Sequence, residues 1–331
     1  MDLPPDAILL RRLRAASGFV APSDLGQPAA VAERVATLNA AGYQIEHHPH
    51  LGYRLISSPD RLIADDILSR LPECGWLRSV LVFERTGSTN DVVSGLGRDG
   101  AAAGVVVFAE EQTAGRGRLG RRWQSDPSLG LWFSLLLRPE MPLAEWPRLT
   151  LWIAYAVAQG IAHFADDSGV QYSAPALGLK WPNDLYLSGR KLAGILVETS
   201  LGERPFATVG IGLNVNHPAF PPPLDATATS LRIETGSPVD RNAVAASLLA
   251  SIDESYPLVA NDFQQIIEWA NRADCLRGRQ IVAEAGAVSH RGIAEGLAHD
   301  GALLLRMQDG ALQRITSGEV TQFSAGLPAP G

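Results

Sequence analysis

A chain of 331 residues, 46% apolar and 19% charged, has enough apolar mass for two or three domains, each with its own core. No run approaches the roughly 18 apolar residues that a membrane span requires, and a net charge of −7 argues against a protein that coats nucleic acid, although a local basic patch can hide within it. Cys74 and Cys275 form no metal-ligand spacing and read as ordinary thiols, and MDLPPDAILLRRLRAASG has an apolar run too short for a signal peptide, so the expected setting is the cytoplasm, with no membrane partner.

In chain order, residues 6–57 read as a small helical unit closed by a hairpin. DAILLRRLRAASG has apolar residues at helical spacing and stops at Gly18. AAVAERVATLNAAGY puts Val31, Val35 and Leu38 on one face and stops at Gly42. YQIEHHPHLGYRLIS reads as two strands about a turn, as in a winged helix-turn-helix. His47, His48 and His50 fall in that hairpin and read as solvated residues, too close in sequence for a three-ligand metal site. From Val80 onward strands alternate with helices. SVLVFERT and AGVVVFAEE are β-branched runs typical of buried strands. The stretch from Trp146 to Ala165 is a long apolar helix, and LAGILVETS and ATVGIGLNVN are strands meeting across a turn at LGERP. NHPAFPPPLDATATS is a proline-rich loop, and Asn242 to Tyr256 and Val259 to Arg272 read as helices. From Cys275, short strands with the turn signals HDG and QDG predict a small β-barrel of roughly 50 residues. The expected units are therefore 1–60, 61–272 and 273–331, in an α/β (α+β) chain.

GRGRLGRRWQS, residues 115–125, contains a G-x-G-x-x-G match. A dinucleotide turn needs its first glycine directly after a strand and a helix opening by the last one. Here QTA intervenes before Gly115, and Pro127 and Gly130 prevent a long helix afterwards. No G-K-[ST] follows, so a Walker loop is also excluded. The stretch also carries Arg116, Arg118, Arg121 and Arg122. Glycines let backbone N–H groups approach an oxygen-rich ligand, and guanidinium forks match phosphate and carboxylate oxygens. That combination suits the joining of two anionic reactants, whose mutual repulsion a pre-placed arginine lowers.

Three other stretches fit this chemistry. KWPNDLY offers Lys180, Asn183 and Asp184 at a proline-fixed turn, and KLAGILVE begins with Lys191. An Asp beside an Asn suits a Mg²⁺ that keeps water and nucleotide phosphates in its shell; taken alone, the stretch reads first as a β-turn with incidental charges. GSTND places Ser88, Thr89 and Asn90 after a strand, where helix capping is the commoner role and a polar ligand the alternative. GIGLNVN supplies glycines for a close backbone approach, and Asn214. There is no G-x-S-x-G elbow, no H-E-x-x-H and no Cys/His cluster, as befits catalysis by positioning and charge neutralisation.

Together GSTND, GRGRLGRRW, KWPNDLY, KLAGILVE and GIGLNVN resemble the biotin–protein ligases, in order and in approximate spacing, over about residues 80–325. The hairpin-closed first unit makes the chain similar to the bifunctional ligase-repressors. The resemblance implies a central mixed-sheet domain of the class II synthetase-like type and a C-terminal SH3-like β-barrel. It implies that biotin's carboxylate attacks the α-phosphate of Mg·ATP to give biotinyl-5′-adenylate and pyrophosphate. The lysine amine of a biotin carboxyl carrier protein then attacks the adenylate. Carried over, Ser88, Thr89, Asn90 and Gln112 contact the ring portion of biotin, and Gly115, Arg116, Gly194, Leu196 and Gly210 line its pocket. Lys191 bridges the biotin carboxylate and the α-phosphate as the principal catalytic charge. Arg118 retains the adenylate, and Arg121 and Trp123 lie near the nucleotide. Lys180, Asn183, Asp184 and Asn214 hold ATP and magnesium, with Asp184 and Asn183 as the metal ligands. The resemblance leaves room for a homodimer.

Two departures qualify it. Ala228 stands near where some ligase-repressors stack a tryptophan on adenine; Phe220 is a substitute ring, but it reads first as packing in the proline-rich loop, and the adenine contact is left unassigned. SDLGQPAAVAERVATL is several residues short of two full helices and a turn, and residues 1–57 carry five arginines against five acids. Operator binding rests on phosphate neutralisation, so the first unit reads as a residual winged domain with a structural or interaction role. The competing readings are a lipoate or octanoate ligase and a biotinyl-adenylate-sensing DNA-binding repressor.

Overall fold

The apolar spacing of the first unit is realised as three helices and a hairpin in the computed structural model, which describes residues 3–169 and 177–323. Helices α1 (Pro5–Ala15), α2 (Pro22–Leu25) and α3 (Pro28–Ala40) each open on a proline, whose missing N–H costs nothing in a first turn. Strands β1 (Gln44–His48) and β2 (Gly52–Ser57) pair antiparallel. Leu9, Leu10, Leu13, Val31, Val35, Leu38 and Tyr43 close a core of their own. The shortness of SDLGQP appears as α2, a single turn.

This unit docks on α4 (Ala64–Arg70) through Asp66, which is fully buried. Its carboxylate accepts hydrogen bonds from Arg14 and the Tyr43 hydroxyl, both at 2.8 Å, and from Arg70 Nε at 2.7 Å. Arg11 donates to the backbone oxygens of Leu68, Ser69 and Leu71. A second tie lies just beyond. Arg241, wholly buried, forks onto Glu110 at 2.7 and 3.2 Å and reaches Asp60, while Glu110 Oε1 accepts the Leu62 N–H at 2.6 Å.

The centre is a seven-stranded sheet. Its strands are β3 (Ser79–Thr86), β4 (Val105–Gln112), β5 (Gly130–Leu137), β6 (Gly178–Lys180), β7 (Asp184–Leu187), β8 (Arg190–Ser200) and β9 (Phe206–Asn214), in the order β3-β4-β5-β9-β8-β7-β6. Only β3 and β4 pair in parallel. Alternation divides its two faces. Phe108, Phe133, Ile195, Val209 and Ile211 join the main core, which also takes α6 (Arg148–Ser168) and α8 (Arg241–Ser255). The opposite face receives α5 (Thr89–Arg98), sealed by Val93, Val107, Leu136 and Phe206. Short α7 (Leu231–Thr235) is capped by Ser230, whose hydroxyl accepts the Ile233 N–H.

Two sequence expectations change here. SVLVFERT is a strand but not a buried one: β3 is the sheet edge, with Leu81 and Phe83 exposed. The helix expected from Val259 to Arg272 is two, α9 (Leu258–Asn261) and α10 (Phe263–Ala273), parted at Asp262 by an extended φ of −151°. The final strands β10 (Gln280–Ala285), β11 (Val288–Leu297), β12 (Leu303–Arg306), β13 (Leu312–Ile315) and β14 (Glu319–Phe323) form one antiparallel sheet, ordered β13-β12-β11-β10-β14. It abuts the central sheet where Trp181 Nε1 donates to the Gly301 carbonyl at 3.0 Å and Leu179 bridges Asp274. No helix among the described residues is long and apolar enough to cross a membrane.

Candidate active site

A cavity of about 130 Å³ opens on the α5 face of the sheet. Its floor exists because strand alternation puts apolar residues into the core and glycines toward the cavity. Paired Gly194 and Gly212 carry the ring of Trp123. A Cβ at Gly212 would lie 2.5 Å from that ring, and one at Gly194 2.9 Å from it. At Gly210 a Cβ would meet Asn90 Oδ1 at 2.3 Å. The pattern GIG is therefore steric, with no demand on backbone dihedrals.

One end of the cavity is a buried polar chain. Ser88 sits at the N-cap position of α5 but its side chain makes no capping hydrogen bond. Gln112, from β4, takes that role: its Oε1 accepts from the Thr89 N–H at 2.8 Å and from the Thr89 hydroxyl at 3.0 Å. The Thr89 and Ser134 hydroxyls lie 2.7 Å apart, where either can be the donor, and Ser134 Oγ lies 2.6 Å from Asn90 Oδ1, so two hydroxyl protons are shared among three contacts. Asn90 Nδ2 then donates to Glu198 at 2.6 Å. The side chains of Thr89, Asn90, Gln112 and Ser134 are thus held by one another, while the Ser88 side chain makes no cap bond.

The other end is cationic. Lys191 Nζ lies 2.8 Å from Asp184 Oδ1 and 5.2 Å from the centre of the Trp123 ring. Lys191 is held by backbone: its N–H donates to the Thr227 carbonyl at 2.8 Å and its carbonyl accepts the Thr229 N–H at 2.9 Å. Lys180 stands across from Asp184 in the β6–β7 register, and burial pushes its ammonium below the usual lysine range.

The arginine loop closes over both ends. It folds on itself, with the Gly117 N–H donating to the Arg121 carbonyl at 2.7 Å and the Trp123 N–H to the Gly115 carbonyl at 2.9 Å. Its tip, Leu119, is exposed at φ +55°, in the left-handed region. Arg116 is pinned by Asp91 at 2.7 Å and Glu198 at 3.4 Å. Arg118 donates to Asn183 Oδ1 at 3.2 Å. Arg121 forks onto Glu319 of β14, with Nη2 donating at 2.7 Å.

Of the residues singled out from sequence, Ser88, Thr89, Asn90, Gln112, Arg116, Arg118, Arg121, Trp123, Asn183, Asp184, Lys191, Gly194, Leu196 and Gly210 all line this cavity. Three do not. Gly115 lies behind the loop, where a Cβ would strike the Trp123 carbonyl, and Lys180 lies behind Asp184. Asn214 is buried and donates to the Thr229 carbonyl at 3.0 Å, so its amide braces the Lys191 strand from behind. Asn183 is also engaged, donating to the Ile195 carbonyl at 2.8 Å while accepting from Arg118. Phe220 stacks on His217 at 4.7 Å, and Ala228 bridges to Lys191 without a ring to offer. Asp91, Glu198 and Glu319 were not found from sequence, because lone acids distant along the chain leave no local pattern.

A polar recess, the Lys191 ammonium and a loop of arginines on one sheet face make a site whose chemistry suits a ligase acting on a small carboxylic acid and a nucleotide phosphate. The Biotin/lipoate A/B protein ligase family profile matches residues 82–216, and that of the Biotin protein ligase C terminal domain matches residues 278–321. The chain is 35% identical to the bifunctional ligase/repressor BirA of Bacillus spizizenii over 297 residues, 88% of each chain. It is 36% identical to a biotin–[acetyl-CoA-carboxylase] ligase of Mycobacterium tuberculosis over 60% of this chain and 67% of that one. The biotin protein ligase of Aquifex aeolicus in complex with biotin and ATP superposes with a TM-score of 0.63 at 28% identity, over 75% of this chain and all of that one. The chain belongs to the biotin protein ligase family.

Proposed function

We propose that this ligase attaches biotin to one lysine of a biotin carboxyl carrier protein, in two steps that share the cavity. Biotin's carboxylate displaces pyrophosphate from the α-phosphate of ATP, giving biotinyl-5′-adenylate. The carrier amine then attacks the acyl carbon, and AMP leaves. The observation that carries this reading is the placement of the Ser88–Thr89–Asn90–Gln112 recess and the Lys191 ammonium at opposite ends of one cavity. The recess supplies fixed donors and acceptors for a heterocycle, and the ammonium sits where two anions would meet. Trp123 Nε1, buried without an acceptor, is a further donor for a bound ligand.

Arg118 and Arg121 are assigned to the nucleotide and adenylate, Arg118 as the residue that keeps the intermediate in place. Magnesium fits the donor set in a limited way. Among the described residues no cluster of three or more His, Cys, Asp or Glu side chains could hold an ion. Asp184 suits the single-carboxylate site of a Mg²⁺ that takes its remaining ligands from phosphate and water, its Oδ1 then being shared with the Lys191 ammonium 2.8 Å away. Asn183 would join it only after giving up Arg118. The metal would neutralise phosphate charge; Lys191 and the arginines orient and stabilise the reacting groups.

The first unit is assigned as a winged helix with a supporting role and the last as an SH3-like barrel, which supports the nucleotide end through Glu319. The cytoplasm fits two unpaired cysteines. Biotin-dependent exchange of labelled pyrophosphate into ATP tests the proposal, and a folded chain with no exchange overturns it. Competition between biotin and lipoate for the cavity separates it from a lipoate or octanoate ligase.

A further inference from the structure

Of the 28 basic residues in the chain, 26 are arginine and two are lysine, at positions 180 and 191. The fold brings both to one place. Lys191 lines the cavity, paired with Asp184, and Lys180 stands across the β6–β7 ladder from the same carboxylate. The exterior therefore carries no side-chain amine. At position after position where a surface cation serves a surface carboxylate, as in Arg34–Asp6, Arg54–Glu46, Arg85–Glu111, Arg306–Glu295 and Arg314–Asp300, the cation is a guanidinium.

That distribution matters for the reaction proposed above, on which this inference rests. Biotinyl-5′-adenylate is a mixed anhydride. An amine attacks its acyl carbon, an amide C–N bond forms, the acyl C–O bond to the phosphate breaks, AMP leaves and the nitrogen loses a proton. Arginine stays protonated and delocalised at any working pH, so it makes no such attack. We infer that the outer surface of this ligase offers its own intermediate no side-chain amine, and that amide-forming self-acylation is confined to Lys191 in the cavity, Lys180 beside Asp184 and the chain's α-amine. The consequence is functional. Intermediate escaping from the cavity passes over a surface with no side-chain amine to capture it, which leaves amide formation to a lysine supplied by the carrier.

The test supplies the reagent from outside, so that it does not depend on catalysis. Synthetic biotinyl-5′-adenylate, in excess and without ATP, is given to the wild-type chain, to an Arg85→Lys/Arg272→Lys variant and to serum albumin, and the labelled peptides are mapped by mass spectrometry. Arg85 is 67% exposed, Arg272 is also exposed, and neither lines the cavity. Albumin and the two installed lysines are expected to be labelled. The wild-type chain should take up about tenfold less label, none of it on exterior side chains, because its exterior cations are guanidinium groups. Exterior labelling of the wild type to the level of albumin overturns the inference. So do installed lysines that stay unlabelled while albumin reacts. Failure of the ligase reading would show instead in pyrophosphate exchange, which this experiment does not use.

Discussion

Lys191 stands between a carboxylate 2.8 Å away and an indole face 5.2 Å away, with its backbone hydrogen-bonded on both sides. Its charge is preorganised, and preorganised charge is what a reaction between two anions lacks in water. Lys191→Ala is expected to cut biotin-dependent pyrophosphate exchange by about 10²–10³-fold, the usual cost of removing one such group, while the melting temperature changes little. Near-normal exchange would remove Lys191 from its role. A different residue sets a pH dependence. Asp274, at the seam between the central and final sheets, is raised to about 6 by burial, against the backbone hydrogen bonds that lower it. The native state thus holds a proton that the unfolded chain has released above about 4. Stability from this group is fully present below that value and is lost as pH rises through 6. Asp274→Asn is expected to flatten the decline in denaturation midpoint between pH 4 and 6; an unchanged slope would sink the assignment.

At the scale of elements, the glycines and arginines of residues 115–123 are legible in sequence, but the anchoring of the loop is not. One arginine is anchored within the central domain, at Asn183, and another at Glu319 of the final sheet. Arg118→Gly is expected to raise the escape rate of biotinyl-adenylate at least about tenfold, since a hydrogen bond from a charged donor contributes about 1.5–3 kcal/mol. An unchanged release rate in a chase with unlabelled biotin would count against it. Arg121 is 60% exposed, and exposed pairs contribute about 0–1 kcal/mol. Glu319→Gln should therefore speed release by no more than about fivefold, with the wild-type difference vanishing at high salt. An effect that survives 1 M salt (a Debye length of about 3 Å) would mean that Glu319 does more than hold Arg121. The expectation for β3 failed at this scale for a similar reason. SVLVFERT has the composition of a buried strand, yet burial depends on having a neighbour on each side, and β3 has one.

Across the whole molecule, the two ion-pair ties decide how the first unit behaves. All five of its arginines are engaged inside the chain: Arg11 and Arg14 on α4, Arg12 on the Asp24 carbonyl, Arg34 on Asp6 and Arg54 on Glu46. A neutral unit with its cations already paired has little left for phosphates. No mobility shift of a promoter-length duplex is expected at about 150 mM salt; a specific, salt-sensitive shift would restore the repressor reading. Arg241 is the other tie, joining the linker at Asp60 to the sheet at Glu110. Arg241→Ala should cost about 3–5 kcal/mol, the penalty for leaving a buried carboxylate unpaired. A loss below about 1 kcal/mol in urea titration would place that charge in water.

The sequence by itself determined which residues meet at one cavity. GSTND, GRGRLGRRW, KWPNDLY, KLAGILVE and GIGLN are local patterns, and spacing along a strand settles which of their residues share a face. Fourteen of the seventeen residues singled out line one cavity because those patterns lie on neighbouring strands and on the helix start and loop beside them. What the tertiary structure decided is whom each of them meets. Gln112 rather than Ser88 holds the end of α5, Asn214 braces a strand instead of facing the cavity, and an acid in the last strand of the chain holds the arginine loop. Such pairings join residues tens to hundreds of positions apart, where no periodicity connects them. Only the packed sheet order fixes their distance.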